Sequence, residues 1–213
     1  MAQLFRPEAN STAKISLVVG LTLPVVVLLS GSTLSRSPMN TGVDVNLDQP
    51  VPFSHKHHSI ELGIDCRFCH TGVETSGYAG LPTTETCMNC HSQIWTNSPL
   101  LDPVRKSYET NKPVEWTVVN KLPEFVYFNH SIHVDRGVSC NQCHGPMNEK
   151  QITSKGRNLS MMWCLECHRE PEKYLYEDEK NPGLTPKQQV FNLYMKKQRD
   201  PKGLDLSPRE AAL

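Results

Sequence analysis

The chain has 213 residues with 22 basic and 22 acidic side chains, and its formal net charge of zero excludes the basic footprint of a nucleic-acid-binding protein. Only 38% of it is hydrophobic, and part of that lies in one N-terminal run, so a conventional apolar core would be thin for the one or two domains the length allows. What stands out instead is eight cysteines and nine histidines.

Residues 1–14 form a short polar lead that includes Arg6 and Lys14. From Ile15 to Ser35 no residue is charged. About 20 residues rising about 1.5 Å each cover roughly 30 Å, the hydrocarbon thickness of a bilayer, so 15–35 is expected to be a transmembrane helix. A cleaved secretory signal is the competing reading, with Ser30, Gly31 and Ser32 near a candidate cut. The run is longer than a usual signal core, which favours an uncleaved anchor. Pro24 sits mid-span, where a kink is expected. Residues 36–52, rich in Ser, Pro, Asn and Asp and without period, read as an extended linker.

Then comes Cys66-Arg-Phe-Cys69-His70, followed by Cys87-Met-Asn-Cys90-His91, Cys140-Asn-Gln-Cys143-His144 and Cys164-Leu-Glu-Cys167-His168. The spacing C-x-x-C-H marks covalent attachment of haem c: two thiols on one helical turn can each add to a vinyl group, and the adjacent His ligates the iron from below. All eight cysteines fall into these motifs. Structural zinc also uses C-x-x-C, and a disulfide framework also consumes paired cysteines, but neither requires His after the second Cys of every pair. The expectation is four covalently bound haem c groups, with a fold that depends on them because the sites do not exist in the unfolded chain.

The motifs are organised as a duplication. Phe53-Ser-His55-Lys-His57-His58 is matched by Phe128-Asn-His130-Ser-Ile-His133, and Gly63-Ile-Asp-Cys66 by Gly137-Val-Ser-Cys140. Each copy then runs to a second attachment motif, giving units 53–91 and 128–168 within a tetrahaem domain of 53–171. Asp65, Thr86 and Ser139 directly precede a motif and are good N-cap types, so each attachment site is expected to open a short helix. Asp102-Pro103 predicts a helix from Pro103 to about Thr110, and Thr185-Pro186 another to about Arg199. Residues 113–119 and 124–128 have β-type composition and are expected as short strands, with Trp116 covering a haem edge. The segment 172–213 is read as that last helix plus an extended tail, suited to docking on a partner.

Four haems need eight axial positions. His70, His91, His144 and His168 are proximal by position. The repeat selects His55, His58, His130 and His133 as distal ligands and leaves His57 over. Met161, Met162 and Met147 lie near attachment motifs and are alternative candidates for a sixth position; their ordinary use is packing. Closed coordination leaves no iron open to substrate, which points to electron transfer without a catalytic site of the chain's own.

The duplicated F-x-H-x-x-H…C-x-x-C-H unit resembles class III multihaem cytochromes of the c3 and c7 type. That resemblance implies a mostly α and irregular fold with little regular secondary structure beyond the N-terminal transmembrane helix. It also implies that His55 shares a haem with His70 and His130 with His144, while His58 and His133 reach other haems. Over Phe53 to about Pro171, the runs Ser98-Pro-Leu-Leu-Asp-Pro-Val-Arg, Leu122-Pro-Glu-Phe-Val-Tyr-Phe-Asn-His-Ser-Ile-His and Met162-Trp-Cys-Leu-Glu-Cys-His-Arg look like the multihaem cytochrome c subunit of alternative complex III, as does the anchor. That likeness implies an electron-transfer subunit of a membrane quinol-oxidising complex, in a respiratory or photosynthetic chain, with an iron–sulfur subunit, polytopic quinol-binding subunits and a monohaem cytochrome c as partners. The subunit is often described as pentahaem, whereas eight cysteines allow four doubly attached haems. The competing function is a free-standing membrane-anchored quinol dehydrogenase feeding periplasmic reductases. Because haem is attached to C-x-x-C-H outside the bacterial cytoplasm, the expected location is the inner membrane, single-pass, with the haem domain on the periplasmic side.

Overall fold

The computed structural model describes residues 6–177, 179 and 181–199. The chain divides into two compact units, Met1–Val43 and Asp44–Leu213. The first holds α1 (Pro7–Arg36) and the short α2 (Pro38–Thr41). Helix α1 starts with Pro at its first position, where a missing N–H costs nothing, and carries Glu8 in its first turn. It contains Pro24, and its apolar side chains are exposed all round: Leu21 is 66% and Leu28 72% exposed. A helix apolar on every face needs a covering apolar medium or partner. Its length and composition suffice to cross a membrane.

The second unit is short helices joined by irregular chain. They are α3 (Cys66–Cys69), α4 (Thr84–His91), α5 (Asp102–Thr110), α6 (His130–Asp135), α7 (Cys140–His144), α8 (Met161–Arg169) and α9 (Pro186–Arg199), with a π-helical turn at Lys56–Glu61. Among the described residues pairing of β type is limited to isolated bridges, including Asn46 with Ser154 and Val138 with Leu175. The strands expected over 113–119 and 124–128 do not form. Residues 124 and 125 lie in a turn closed by the Val126 N–H donating to Pro123 O (3.0 Å), and at Thr117 the backbone's polar groups find side chains instead of a ladder. Gln49 accepts from the Thr117 N–H (3.1 Å) and donates to the Thr117 carbonyl (2.9 Å), while the Thr117 hydroxyl donates to Asp48 O (2.8 Å). The stretch expected as a linker is thereby bonded to the domain from Asp44 onward, where the Asp44 N–H also donates to Lys155 O at 2.8 Å.

Apolar packing is sparse. Val51, Leu101 and Val104 form one cluster, flanked by Cys87, Met88, Val114 and Trp116. Val73, Val134 and Phe191 form another, flanked by Ala79. Trp116 therefore packs on the first cluster. Helix α5 ends on Asn111, whose φ of 53° is the left-handed conformation of a helix C-cap.

Helix α9 begins with a reciprocal cap: the Gln188 side chain accepts from the Thr185 N–H (2.9 Å) and the Thr185 hydroxyl from the Gln188 N–H (3.3 Å). Its apolar face turns onto its own chain, with Val190, Phe191, Leu193 and Tyr194 all buried. The Arg67 guanidinium lies 4.3 Å over the Phe191 ring, and the Tyr194 hydroxyl accepts from the Asn141 N–H at 3.1 Å. One helix thus touches the first attachment motif of each repeat. The tail expected from Asp200 onward lies outside the described residues.

Candidate metal centres

The attachment motifs sit on helices in two ways. Cys66 opens α3, where Asp65 accepts from the Arg67 N–H (2.8 Å), and Cys140 opens α7 after Ser139. The Arg67 side chain hydrogen-bonded to Asp65 holds that carboxyl below its ordinary range. The second motif of each repeat differs from expectation, lying in the C-terminal half of a helix that starts earlier. Helix α4 begins after Thr83, so Thr86 is inside it, and α8 begins after Ser160, which accepts from the Trp163 N–H. In every case the two cysteines and the histidine stay within about one turn, which the attachment chemistry needs.

None of the eight cysteines is in a disulfide, and each is half-buried or exposed, although cysteine is among the most buried residue types. Burial pushes the Cys66 and Cys143 thiols up to about 12. Among the described residues no three His, Cys, Asp or Glu side chains converge as a zinc site requires.

The histidines come together in pairs. The rings of His58 and His91 are 6.3 Å apart between centres, those of His130 and His144 6.4 Å and parallel to within 2°, and those of His133 and His168 6.1 Å. Two imidazole nitrogens each about 2 Å from one metal ion bring the ring centres to about 6 Å apart once the ring radii are added. Each of these pairs therefore leaves a gap of the size that an iron held between two imidazoles would need. His55 is held down to about 4, by burial first and then by the neighbouring His70, His58 and His144. His144 is likewise held at about 4, by burial and then by His130 and His70. Both are neutral imidazoles at physiological pH, the form that binds metal.

The opposite ring nitrogen is occupied in most of them. Nδ1 of His58 donates to Ser54 O (2.9 Å), of His70 to Gly80 O (2.7 Å), of His91 to Ile94 O (3.2 Å), of His130 to Gly77 O (2.9 Å) and of His133 to Asn129 O (2.7 Å). A carbonyl only accepts, so Nδ1 carries the proton and Nε2 keeps its lone pair for a metal. His55 Nδ1 lies 3.3 Å from the Thr153 hydroxyl.

A family match covers residues 94–199: the family is described as cytochrome c552. That stretch contains the second repeat with both of its attachment motifs. The chain is also 32% identical over 144 residues, 57% of this chain and 68% of the relative, to the menaquinone reductase multihaem cytochrome c subunit of Nitratidesulfovibrio vulgaris Hildenborough. The chain belongs to the multihaem cytochromes c. It binds haem c covalently, and its part is electron transfer.

In this cytochrome the phenylalanines of the repeat have a role that residue type alone did not reveal. Phe53 stacks on His58 (4.3 Å, 24°) and meets His55 edge-on (4.9 Å, 87°). Phe128 does the same to His133 (4.6 Å, 29°) and His130 (4.8 Å, 89°). Each ring clamps two imidazoles at once, and the repetition of F-x-H-x-x-H was the signal for it. His57, the histidine left over, hydrogen-bonds Glu61 (2.7 Å), stacks on Trp95 (6.2 Å, 17°) and meets His58 edge-on (5.5 Å, 89°), without facing a motif histidine. Met161, at the start of α8, is 76% exposed.

Proposed function

We propose that this cytochrome is a membrane-anchored tetrahaem electron-transfer subunit of a quinol:acceptor oxidoreductase complex, of the alternative complex III kind. The reading has haem c attached at the four C-x-x-C-H motifs, His70, His91, His144 and His168 below the irons, and His55, His58, His130 and His133 above them. The observation that supports it is the three imidazole pairs about 6 Å apart, His58/His91, His130/His144 and His133/His168, and the reading makes His55 and His70 the fourth. Met161 is not used in this reading.

Bound haem c supplies a one-electron couple whose potential follows from its axial ligands, its hydrogen bonds and its burial. The chain's own residues do the rest. Carbonyls at Ser54, Gly77, Gly80, Ile94 and Asn129 hold His58, His130, His70, His91 and His133 in the tautomer that leaves Nε2 free. Phe53 and Phe128 fix the ring planes. Two imidazoles per site would hold the haem iron from both faces, which would shut out small ligands and limit rearrangement on gain or loss of an electron. Helix α1 is the anchor in this reading, with the haem domain on the periplasmic side, beside an iron–sulfur subunit, quinol-binding membrane subunits and a monohaem cytochrome c. Tethering raises the effective concentration of such partners. The opposite direction of flow has one specific support: the Nitratidesulfovibrio relative is named for menaquinone reduction.

A pyridine haemochrome assay should give four haems c per chain; two, or stoichiometric zinc, would overturn the reading. In the intact complex added quinol should reduce the haems and an oxidised acceptor should reoxidise them, whereas the isolated chain should respond to quinol far more slowly. Reduction by a periplasmic donor followed by quinone reduction would establish the reverse direction. Fast quinol reduction of the isolated chain would instead make it a free-standing dehydrogenase.

A further inference from the structure

We propose that the four sites stand in single file, in the order His58/His91, His55/His70, His130/His144, His133/His168, so that the inner two each have two neighbours and the outer two are where electrons enter and leave. This rests on the tetrahaem reading above. The order differs from the order of attachment along the chain, in which the His70 motif comes first.

Three junctions define the file. Phe53 touches both His55 and His58, which joins the first two sites. Phe128 touches both His130 and His133, which joins the last two. The middle junction is made by one loop: the Gly80 carbonyl accepts from His70 and the Gly77 carbonyl from His130, and the loop is closed by the Gly72 N–H donating to Ala79 O (3.1 Å). His55 and His70 are the two candidate ligands left once the three facing pairs are assigned, and they make the second site of the file. Helix α9 lies over the same middle junction, with Phe191 under Arg67 and Tyr194 on Asn141. The ends are also the more open sites: Cys90 and His168 are exposed, whereas Cys66, Cys69, His70, Cys140, Cys143 and His144 are all half-buried.

Each transfer along the file moves one electron, oxidising the site that gives it and reducing the site that takes it. No bond forms or breaks. The donor and the final acceptor are the quinol and the acceptor of the complex, or the reverse.

The test uses the full-length, haem-loaded chain in detergent. His130→Met leaves both thioether attachments of its haem in place but exchanges the sixth ligand for one that favours the reduced iron. Poised so that only this site is reduced, it becomes diamagnetic, and its neighbours lose a magnetic partner. By electron paramagnetic resonance, His130→Met and His55→Met should each alter two of the three remaining ferric signals. His58→Met and His133→Met should each alter one. An outer variant that alters two signals, or an inner variant that alters one, overturns the order. The two outer variants decide the question by themselves if an inner one does not assemble. A wild-type haem count other than four would overturn the tetrahaem reading, separately from the order.

Discussion

At the scale of single residues, two neighbouring histidines differ in where the second ring nitrogen goes. His57 and His58 are adjacent in sequence. His58 gives Nδ1 to a backbone carbonyl and faces His91, whereas His57 gives Nδ1 to Glu61 and its ring to Trp95. His130→Ala should therefore leave one iron high-spin or differently ligated with the covalent haem count unchanged, and His57→Ala should leave the haem spectra alone. A haem perturbed by His57→Ala but not by His58→Ala would shift the ligand register by one residue. Phe128 makes a further prediction. Each aromatic pair contributes on the order of 1 kcal/mol, and this ring makes two, so Phe128→Ala should loosen His130 and His133 together. Absorption and paramagnetic resonance spectra should then change at two sites at once, while Phe128→Leu, which keeps bulk against both imidazoles, should change them less.

At the scale of elements, short helices present the cysteines and tight backbone contacts place the histidines. Gly156 shows how tight. A Cβ there would overlap the His144 carbonyl and the Gly145 N–H, which are backbone atoms that cannot rotate away. Gly156→Ala should destabilise the holoprotein by about 1–3 kcal/mol, the usual cost of overpacking, and displace His144. Denaturant unfolding followed by haem absorbance would measure the first effect and the low-spin signal of that site the second. Wild-type values for both would mean that the loop yields freely. The π-helical turn at Lys56–Glu61 is the element in which the two repeats diverge, because the matching residues His130–Asp135 form an ordinary α-helix. Its wider winding brings the Leu62 N–H to the His57 carbonyl at 3.0 Å. The helix α9, read from sequence as suited to a partner, places its buried face against Val73 and Val134 of its own chain.

At the scale of the whole molecule, two small apolar clusters among the described residues are little for a domain of this length, and bound haem c would supply further apolar bulk. The division at Val43/Asp44 separates a helix exposed on all faces from the unit that carries every attachment motif. Removing residues 1–36 and supplying a cleavable signal should therefore release a soluble, haem-loaded domain, read by fractionation without detergent and by haem stain. A product that still requires detergent would mean that the haem domain has a membrane-binding face of its own.

The sequence by itself determined the chemistry. C-x-x-C-H places two thiols and a ligand within one turn whatever surrounds them, so the attachment sites and proximal histidines are legible as local spacing. The duplication singles out His55, His58, His130 and His133 as the candidate distal ligands in the same way, and an uncharged run long enough for a bilayer is legible as length and composition. Tertiary structure alone decided which imidazole faces which, because that depends on segments far apart in the chain. His130 is oriented by Gly77, and Tyr194 reaches Asn141. It also decided that residues 113–119 are not a strand. β-type composition makes a backbone extended, but a strand needs a neighbour's ladder, and here Gln49 and Asp48 meet those groups first.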